Sequence, residues 1–336
     1  MKIKWGVLGA SKLAVEKVIP AMADHESFEV NAIASRDLEK AKAVGERLSV
    51  PRYFGSYEEL IRDPEIDVVY IPLPNDLHVE YTLNCIEAGK HVLCEKPLAL
   101  KAADIDRLIQ ARDRHQVKVG EAFMVKTHPQ WIKAKELVQS GSLGKVSLVH
   151  GFFSYYNVKP ENIRNKPEHG GGAIWDIGCY PVFTSRTVLG EEPVGLVASM
   201  EYDPAFGTDR LASVIMEFPS ARAVFSVSTQ LVPYQRMQFF GGQKELEIRI
   251  PFNAPPDRPC EIRISSGDIF RENFEAIHFD TCNQYRIQAE AFTRAVVEDV
   301  EVPVTLEDAK ANAKVLEAIF LSAKEKRWVD LDFNIV

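Results

Sequence analysis

The chain has 336 residues, 46% of them apolar, with 40 basic against 48 acidic side chains and a net charge of -8. That length predicts about two domains with sizeable cores, and an acidic balance without any basic block or arm argues against a nucleic-acid partner. No apolar run approaches the roughly 18 residues of a membrane span, and Met1-Lys2-Ile3-Lys4 leads into a strand instead of a signal peptide, so a cytoplasmic protein without a membrane partner is expected. Five scattered cysteines form no CxxC pair and no Cys/His cluster; free thiols and no metal site follow.

In chain order, short β-branched runs alternate with amphipathic stretches over the first 120 residues. Strands are predicted at Ile3 to Leu8, Phe28 to Ala34, Val68 to Ile71, His91 to Cys94 and Lys118 to Glu121. Helices between them imply an α/β, doubly wound parallel sheet over residues 1–122. Ser56-Tyr57-Glu58-Glu59 reads as a capping box opening a helix that ends near Asp63-Pro64, and Lys101 to His115 carries apolar residues at helical spacing. After residue 122 the texture changes. A helix at Pro129 to Ser140 gives way to strands at Lys145 to Tyr156, Val194 to Tyr202, Leu211 to Glu217, Arg222 to Ser228, Arg236 to Phe240, Leu246 to Ile250 and Glu261 to Ser265. Two closing helices follow, Gln284 to Glu298 and Leu306 to Lys326. Residues 123–336 thus read as an α+β domain with a large, mainly antiparallel open sheet, one face of which is available to a second subunit.

The turn after the first strand, Gly9-Ala10-Ser11-Lys12-Leu13-Ala14, places backbone N–H groups and a helix N-terminus where a pyrophosphate can bind. Gly9 suits the tight turn, Ala14 suits close helix–strand packing, and Ser11 stands where a dinucleotide fingerprint has its middle glycine. By itself the loop is equally an ordinary βα turn. Strand two ends in Ser35-Arg36-Asp37 with no acid placed for ribose hydroxyls, so Ser35 and Arg36 favour the 2'-phosphate of NADP over NAD; the alternative is that Arg36 and Asp37 are a solvated helix start. Leu73, Pro74 and Asn75 follow the next strand at the ligand-binding edge of such a sheet, with His78 either structural or beside the cofactor.

Glu95-Lys96-Pro97 lies at the same edge. An ammonium there can bind a substrate hydroxyl and stabilise a developing alkoxide; the alternative is a surface lysine paired with Glu95. Farther on, Gly170-Gly171-Gly172 precedes a helix on which Asp176 and Tyr180 share one face. A phenol with an ordinary pKa of about 10 needs a nearby cation to accept a proton at neutral pH, and Lys96 is the candidate. Asp176 would orient a sugar hydroxyl or the tyrosine. Taken alone, the pair could equally cap and pack its helix. Together with Lys96 and a nucleotide loop, it points to catalysis.

These stretches, with Gly6-Val7-Leu8-Gly9-Ala10-Ser11, Leu73-Pro74-Asn75-Asp76-Leu77-His78, Ala88 to Pro97 and Gly170 to Pro181, resemble the Gfo/Idh/MocA oxidoreductase family from Ile3 through the C-terminal helices. Within it, they are similar to the glucose-fructose oxidoreductase, D-xylose dehydrogenase and dimeric dihydrodiol dehydrogenase group. The resemblance implies an N-terminal Rossmann domain and NAD(P)-dependent chemistry at a CH–OH group of a carbohydrate-like substrate. It also implies a homodimer or homotetramer formed through the C-terminal sheet. Cofactor would meet Gly9 to Leu13, Ser35, Arg36, Leu73 to Asn75, His78 and Glu95 to Pro97. Lys96, Asp176 and Tyr180 would act on substrate, with Arg164, His128 and Trp175 as further contacts; Arg164 and His128 suit a structural salt bridge or cap nearly as well, and Trp175 suits the core. A trans-dihydrodiol dehydrogenase, a dicarbonyl or keto-sugar reductase and a nucleotide-binding sensor without turnover remain alternatives.

Overall fold

The structure is a computed structural model and describes residues 2–333. The chain forms two compact units, one comprising the residues up to Thr127 together with Asn283–Lys310, the other His128–Cys282 with the chain from Ala311 onward.

The first unit is built on six parallel strands: β1 Ile3–Leu8, β2 Phe28–Ala34, β3 Arg52–Phe54, β4 Val68–Ile71, β5 His91–Glu95 and β6 Val119–Ala122. Their order is β3-β2-β1-β4-β5-β6, so the chain winds outward in both directions from β1. Every residue of β4 is buried, as expected of a strand covered on both faces. The short β3 was not among the predicted strands: Arg52-Tyr53-Phe54 is too short a run to show a period, and pairing with Ala32–Ala34 of β2 makes it a strand. Helices fall where the punctuation puts them. The Ser56 hydroxyl accepts from the Glu59 amide at 3.1 Å to start helix Tyr57–Arg62, and helix Ala102–His115 fills the predicted 101–115 span.

The helix Gln284–Val297 packs into this unit. Phe292 is fully buried with its ring 5.6 Å from that of Trp5, which also meets Phe28 edge-on at 6.3 Å. Ala289 and Ala295 extend the same cluster beside Val7, Val68 and Leu93. Burying each large side chain contributes about 1.5–3 kcal/mol, so this distant segment is an integral part of the core.

The second unit holds a nine-stranded sheet in the order β14-β13-β12-β11-β7-β10-β9-β8-β15. Its strands are β7 Val146–Tyr156, β8 Gly195–Tyr202, β9 Asp209–Glu217, β10 Arg222–Ser228, β11 Gln230–Gly241, β12 Glu245–Ile248, β13 Cys260–Ser265, β14 Glu275–Phe279 and β15 Val329–Asp330. β7 pairs parallel with β10; the other neighbours are antiparallel. Alternation along the strands separates two faces. Val149 and Phe153 of β7, Phe225 and Val227 of β10, Met216 of β9 and Phe239 of β11 are buried on the inner one. Against it lies a helix over residues 173–189 whose side chains are buried almost all round, which marks a core helix. β14 and the two-residue β15 were not foreseen, since neither presents an apolar run.

Among the described residues, no helix is long and apolar enough to cross a membrane.

Candidate active site

Parallel strands deliver the loops after β1, β2, β4 and β5 to one edge of the six-stranded sheet. After β1, Gly9 adopts φ +98°, a left-handed conformation that glycine permits, and a Cβ there would come within 2.9 Å of Leu73 Cδ2. The glycine therefore lets two loops of this edge approach. Ser11 turns its hydroxyl back to accept from the Ala14 amide at 3.2 Å, while its carbonyl accepts from Val15 at 3.0 Å. It is the cap of the first helix, over residues 12–22, and its side chain serves that helix instead of filling the crevice. Helix geometry leaves the first-turn amides of Lys12 and Leu13 without carbonyl partners inside the helix, where an anion is favoured. This cradle fits a dinucleotide pyrophosphate despite the missing middle glycine. Lys12 is 84% exposed beside Glu16.

After β2, Ser35 is buried and its hydroxyl accepts from the Asp37 amide at 3.2 Å, whereas Arg36 is exposed and near enough to the Tyr57 phenol for its charge to oppose the rise that burial gives the phenol's pKa. Asp37 caps the next helix by accepting from Lys40 at 3.2 Å. A cation thus stands at the end of β2 with no neighbouring acid in the position a ribose diol would need.

His78 is 1% exposed and lies between two carbonyls, with Nδ1 2.8 Å from Pro97 O and Nε2 2.8 Å from Leu73 O. It ties the loop after β4 to the turn after Lys96, and burial lowers its pKa against the opposing pull of those carbonyls. The Lys96–Pro97 peptide is cis. Glu95 is buried and accepts from the Tyr70 phenol at 2.6 Å, so it anchors the end of β5.

In the second unit, the helix of residues 173–189 opens with a π-helical turn, Ile174–Gly178, that carries Asp176. Such turns are common at functional sites. Asp176 Oδ2 accepts from the Tyr155 phenol at 2.6 Å and from Arg164 Nε at 2.8 Å. The Arg164 carbonyl also accepts from the Gly172 amide at 2.9 Å. The Asp176 carboxylate raises the Arg164 pKa further, and burial followed by the same carboxylate raises that of Tyr155. Arg164 and Tyr180 also interact electrostatically.

Tyr180 is 6% exposed, with its ring 5.9 Å from Phe153 and 5.3 Å from Phe252. Phe252 stacks on Phe153 at 4.8 Å and lies in a loop held from three sides. Gln235 Oε1 accepts from the amides of Phe252 and Asn253 at 2.9 and 3.0 Å, Trp131 Nε1 donates to Pro251 O at 2.7 Å, and Gln130 Nε2 donates to Ile250 O at 3.0 Å. The predicted strand through Ile250 stops at Ile248 because residues 249–253 are recruited into this loop. Beside it is a cavity of about 470 Å³ lined by Phe153, Tyr155, Tyr234, Gln235, Arg249 and Asn253, among others. Aromatic faces with a few planar polar groups suit a polyol.

Two expected substrate contacts have other work here. His128 is 1% exposed, accepts from the Gln130 amide at 3.3 Å to cap helix Pro129–Gln139, and burial holds its pKa at about 4. Trp175 stacks on Phe320 at 5.3 Å. Arg164 meets Asp176 directly. Tyr155, Phe252, Gln235 and Asp209 escaped notice in the sequence because strand and loop residues distant along the chain carry no local signal.

Residues 3–123 match the family described as "Oxidoreductase family, NAD-binding Rossmann fold", and residues 131–247 match its "GFO/IDH/MocA C-terminal domain". The chain is 43% identical to the uncharacterized oxidoreductase ORF334 of Rhizobium meliloti, across 97% of this chain and 98% of that one. It is 36% identical to D-xylose 1-dehydrogenase (NADP(+)) 2 of Haloferax volcanii, over 98% and 99%. Aldose-aldose oxidoreductase from Caulobacter crescentus, solved with glycerol, superposes with a TM-score of 0.89 at 28% identity, over 98% and 100% of the two chains. The chain belongs to the Gfo/Idh/MocA family of NAD(P)-dependent oxidoreductases.

Proposed function

We propose that the protein is an NADP-dependent dehydrogenase of a cyclic sugar, oxidising an aldopyranose at C1 to its lactone. The observation that carries this reading is the placement of Asp176 and Tyr180 on one face of a buried helix. They share Phe153 and Tyr155 with a cavity of about 470 Å³ whose remaining lining includes Tyr234, Gln235, Arg249 and Asn253. The naming of a relative as an NADP-dependent D-xylose dehydrogenase supports the substrate class and, with the exposed Arg36 at the end of β2, the choice of NADP.

The nicotinamide, when bound, supplies the acceptor for the hydride leaving C1. Tyr180 takes the proton of the C1 hydroxyl, so that hydride and proton leave the same C–OH unit and a carbonyl remains. Lys96 donates to the oxygen while negative charge develops on it. Asp176, fixed by Tyr155 and Arg164, accepts from a neighbouring sugar hydroxyl and orients the ring. Gly9 to Leu13 would hold the pyrophosphate, Ser35 and Arg36 the 2'-phosphate, and Leu73 to Asn75 with Glu95 to Pro97, tied together by His78, would wall the nicotinamide. The outward face of the nine-stranded sheet is proposed to pair with a second copy of the chain.

The test follows absorbance at 340 nm with NADP or NAD and a panel of aldoses and inositols, repeated in reverse with reduced cofactor and dicarbonyls. NADP reduction by one pentose or hexose is expected, lowered on the order of 10²- to 10⁴-fold by Tyr180→Phe or Lys96→Met with cofactor binding retained. Turnover only with dicarbonyls or dihydrodiols would replace the sugar, and cofactor binding without turnover would replace the enzyme by a sensor.

A further inference from the structure

The helix that bears Asp176 and Tyr180 starts over a buried carboxylate. Asp209, the first residue of β9, is 1% exposed, and its Oδ2 accepts from the Ile174 amide at 2.7 Å. The backbone amides of Asp209 itself and of Ala173 also favour its charge. Those of Ala173 and Ile174 are first-turn N–H groups that have no partner inside their helix, and the helix dipole favours an anion beneath them. The chain is shaped around this carboxylate. Gly172 adopts φ +112°, and a Cβ there would lie 1.9 Å from Asp209 Oδ1; a Cβ on Gly171 would lie 2.6 Å from Arg164 O. Two of the three glycines thus let the backbone pass between Asp209 and Arg164.

We propose that Asp209 is a positioning residue for the reaction, an anion that sets the start of this helix and, through it, the place of Asp176 and Tyr180. This rests on the reading of those two residues given above. Asp209 holds the Ile174 amide and draws on that of Ala173. Arg164 holds the Gly172 amide with its carbonyl and Asp176 with its guanidinium, and Tyr155 closes the arrangement on Asp176. The helix begins in a π-turn over Ile174–Gly178, whose wider winding leaves the direction of Asp176 dependent on these outside anchors.

A buried carboxylate is a costly way to satisfy backbone amides. Burial pushes its carboxyl up to about 7 while the backbone amides pull it down, so its charge changes near neutrality. The titratable and charged groups around it are Tyr155 on β7 and Tyr202 on β8, both of which feel its charge. Beyond Tyr155 stand Arg164 in the turn Ile163–Asn165 and Asp176 on the helix. An amide in its place would satisfy one N–H and turn its NH₂ toward another donor.

The experiment compares wild type with Asp209→Asn in the full chain. With the sugar that wild type oxidises, Asp209→Asn is expected to lose 10- to 100-fold in kcat, to bind NADP as wild type does, and to lose the limb of the kcat–pH profile near neutrality. An unchanged kcat and profile in folded Asp209→Asn overturns the proposal, as does a loss matching only the unfolded fraction. A second readout needs neither substrate nor a folded Asp209 variant, only wild type and folded Trp175→Phe. Trp175 follows Ile174 directly, so the wild-type fluorescence difference against Trp175→Phe should titrate between pH 6 and 8. A flat difference overturns the proposal. Wild-type silence on every sugar counts against the sugar reading, while the fluorescence still decides the role of Asp209.

Discussion

At the scale of single residues, histidine shows how position decides between chemistry and architecture. His128 is buried as a helix cap with its pKa held at about 4, against about 6.5 for an unfolded histidine. Lowered in the folded state, it binds fewer protons than in the unfolded chain, so its contribution is present above about pH 6.5 and is lost as pH falls toward 4. A shift of that size corresponds to roughly 3 kcal/mol at full expression. His128→Asn keeps a side-chain oxygen to cap the Gln130 amide without a titrating group. The drop in Tm between pH 7 and pH 5 is therefore expected to shrink in this variant; an unchanged drop would remove His128 as its source. The sequence left cap and substrate contact both open for this residue. What separates them is its 1% exposure, a property no neighbouring letter encodes.

At the scale of elements, Gln284–Val297 shows a helix assigned by its packing. Its apolar spacing was legible, as was its extent to within a residue or so, but nothing in the pattern says which core receives Phe292. The T-shaped contacts of Trp5 with Phe28 and Phe292 answer that. Phe292→Ala should destabilise the first unit by about 3–5 kcal/mol, read by denaturant unfolding, because it empties a site that close packing cannot refill. A loss below about 1 kcal/mol would mean the ring is dispensable to that core. The helix of residues 173–189 makes the complementary point. Its glycines, acid and phenol were visible in the sequence, whereas the clamp of Tyr155, Arg164 and Asp209 comes from a strand, a turn and a hairpin.

For the whole molecule, the sheet of the second unit presents an outer face opposite the one that buries Phe153 and Phe239. Across three strands that face carries Leu148 and Phe152 of β7, Val224 of β10 and Ile215 of β9, with Leu148 and Ile215 respectively 38% and 37% exposed. A second copy laid on this face would form a two-fold interface of like strands. Light scattering should give a mass of about twice 37.8 kDa, and Leu148→Asp with Ile215→Asp should halve it. A monomeric wild type would rule this assembly out.

By itself the sequence determined the doubly wound first sheet, the strand-rich second half, the caps and the motif residues Gly9, Lys96, Asp176 and Tyr180. All of these are written in local periodicity, turn chemistry or spacing within a few residues. Only the tertiary structure decided that Ser11 serves its own helix, that His128 is a cap, that Phe252 walls Tyr180, and that Asp209 underlies the helix of residues 173–189. Each of those depends on burial and on contacts between segments far apart in the chain, and burial belongs to the packed core.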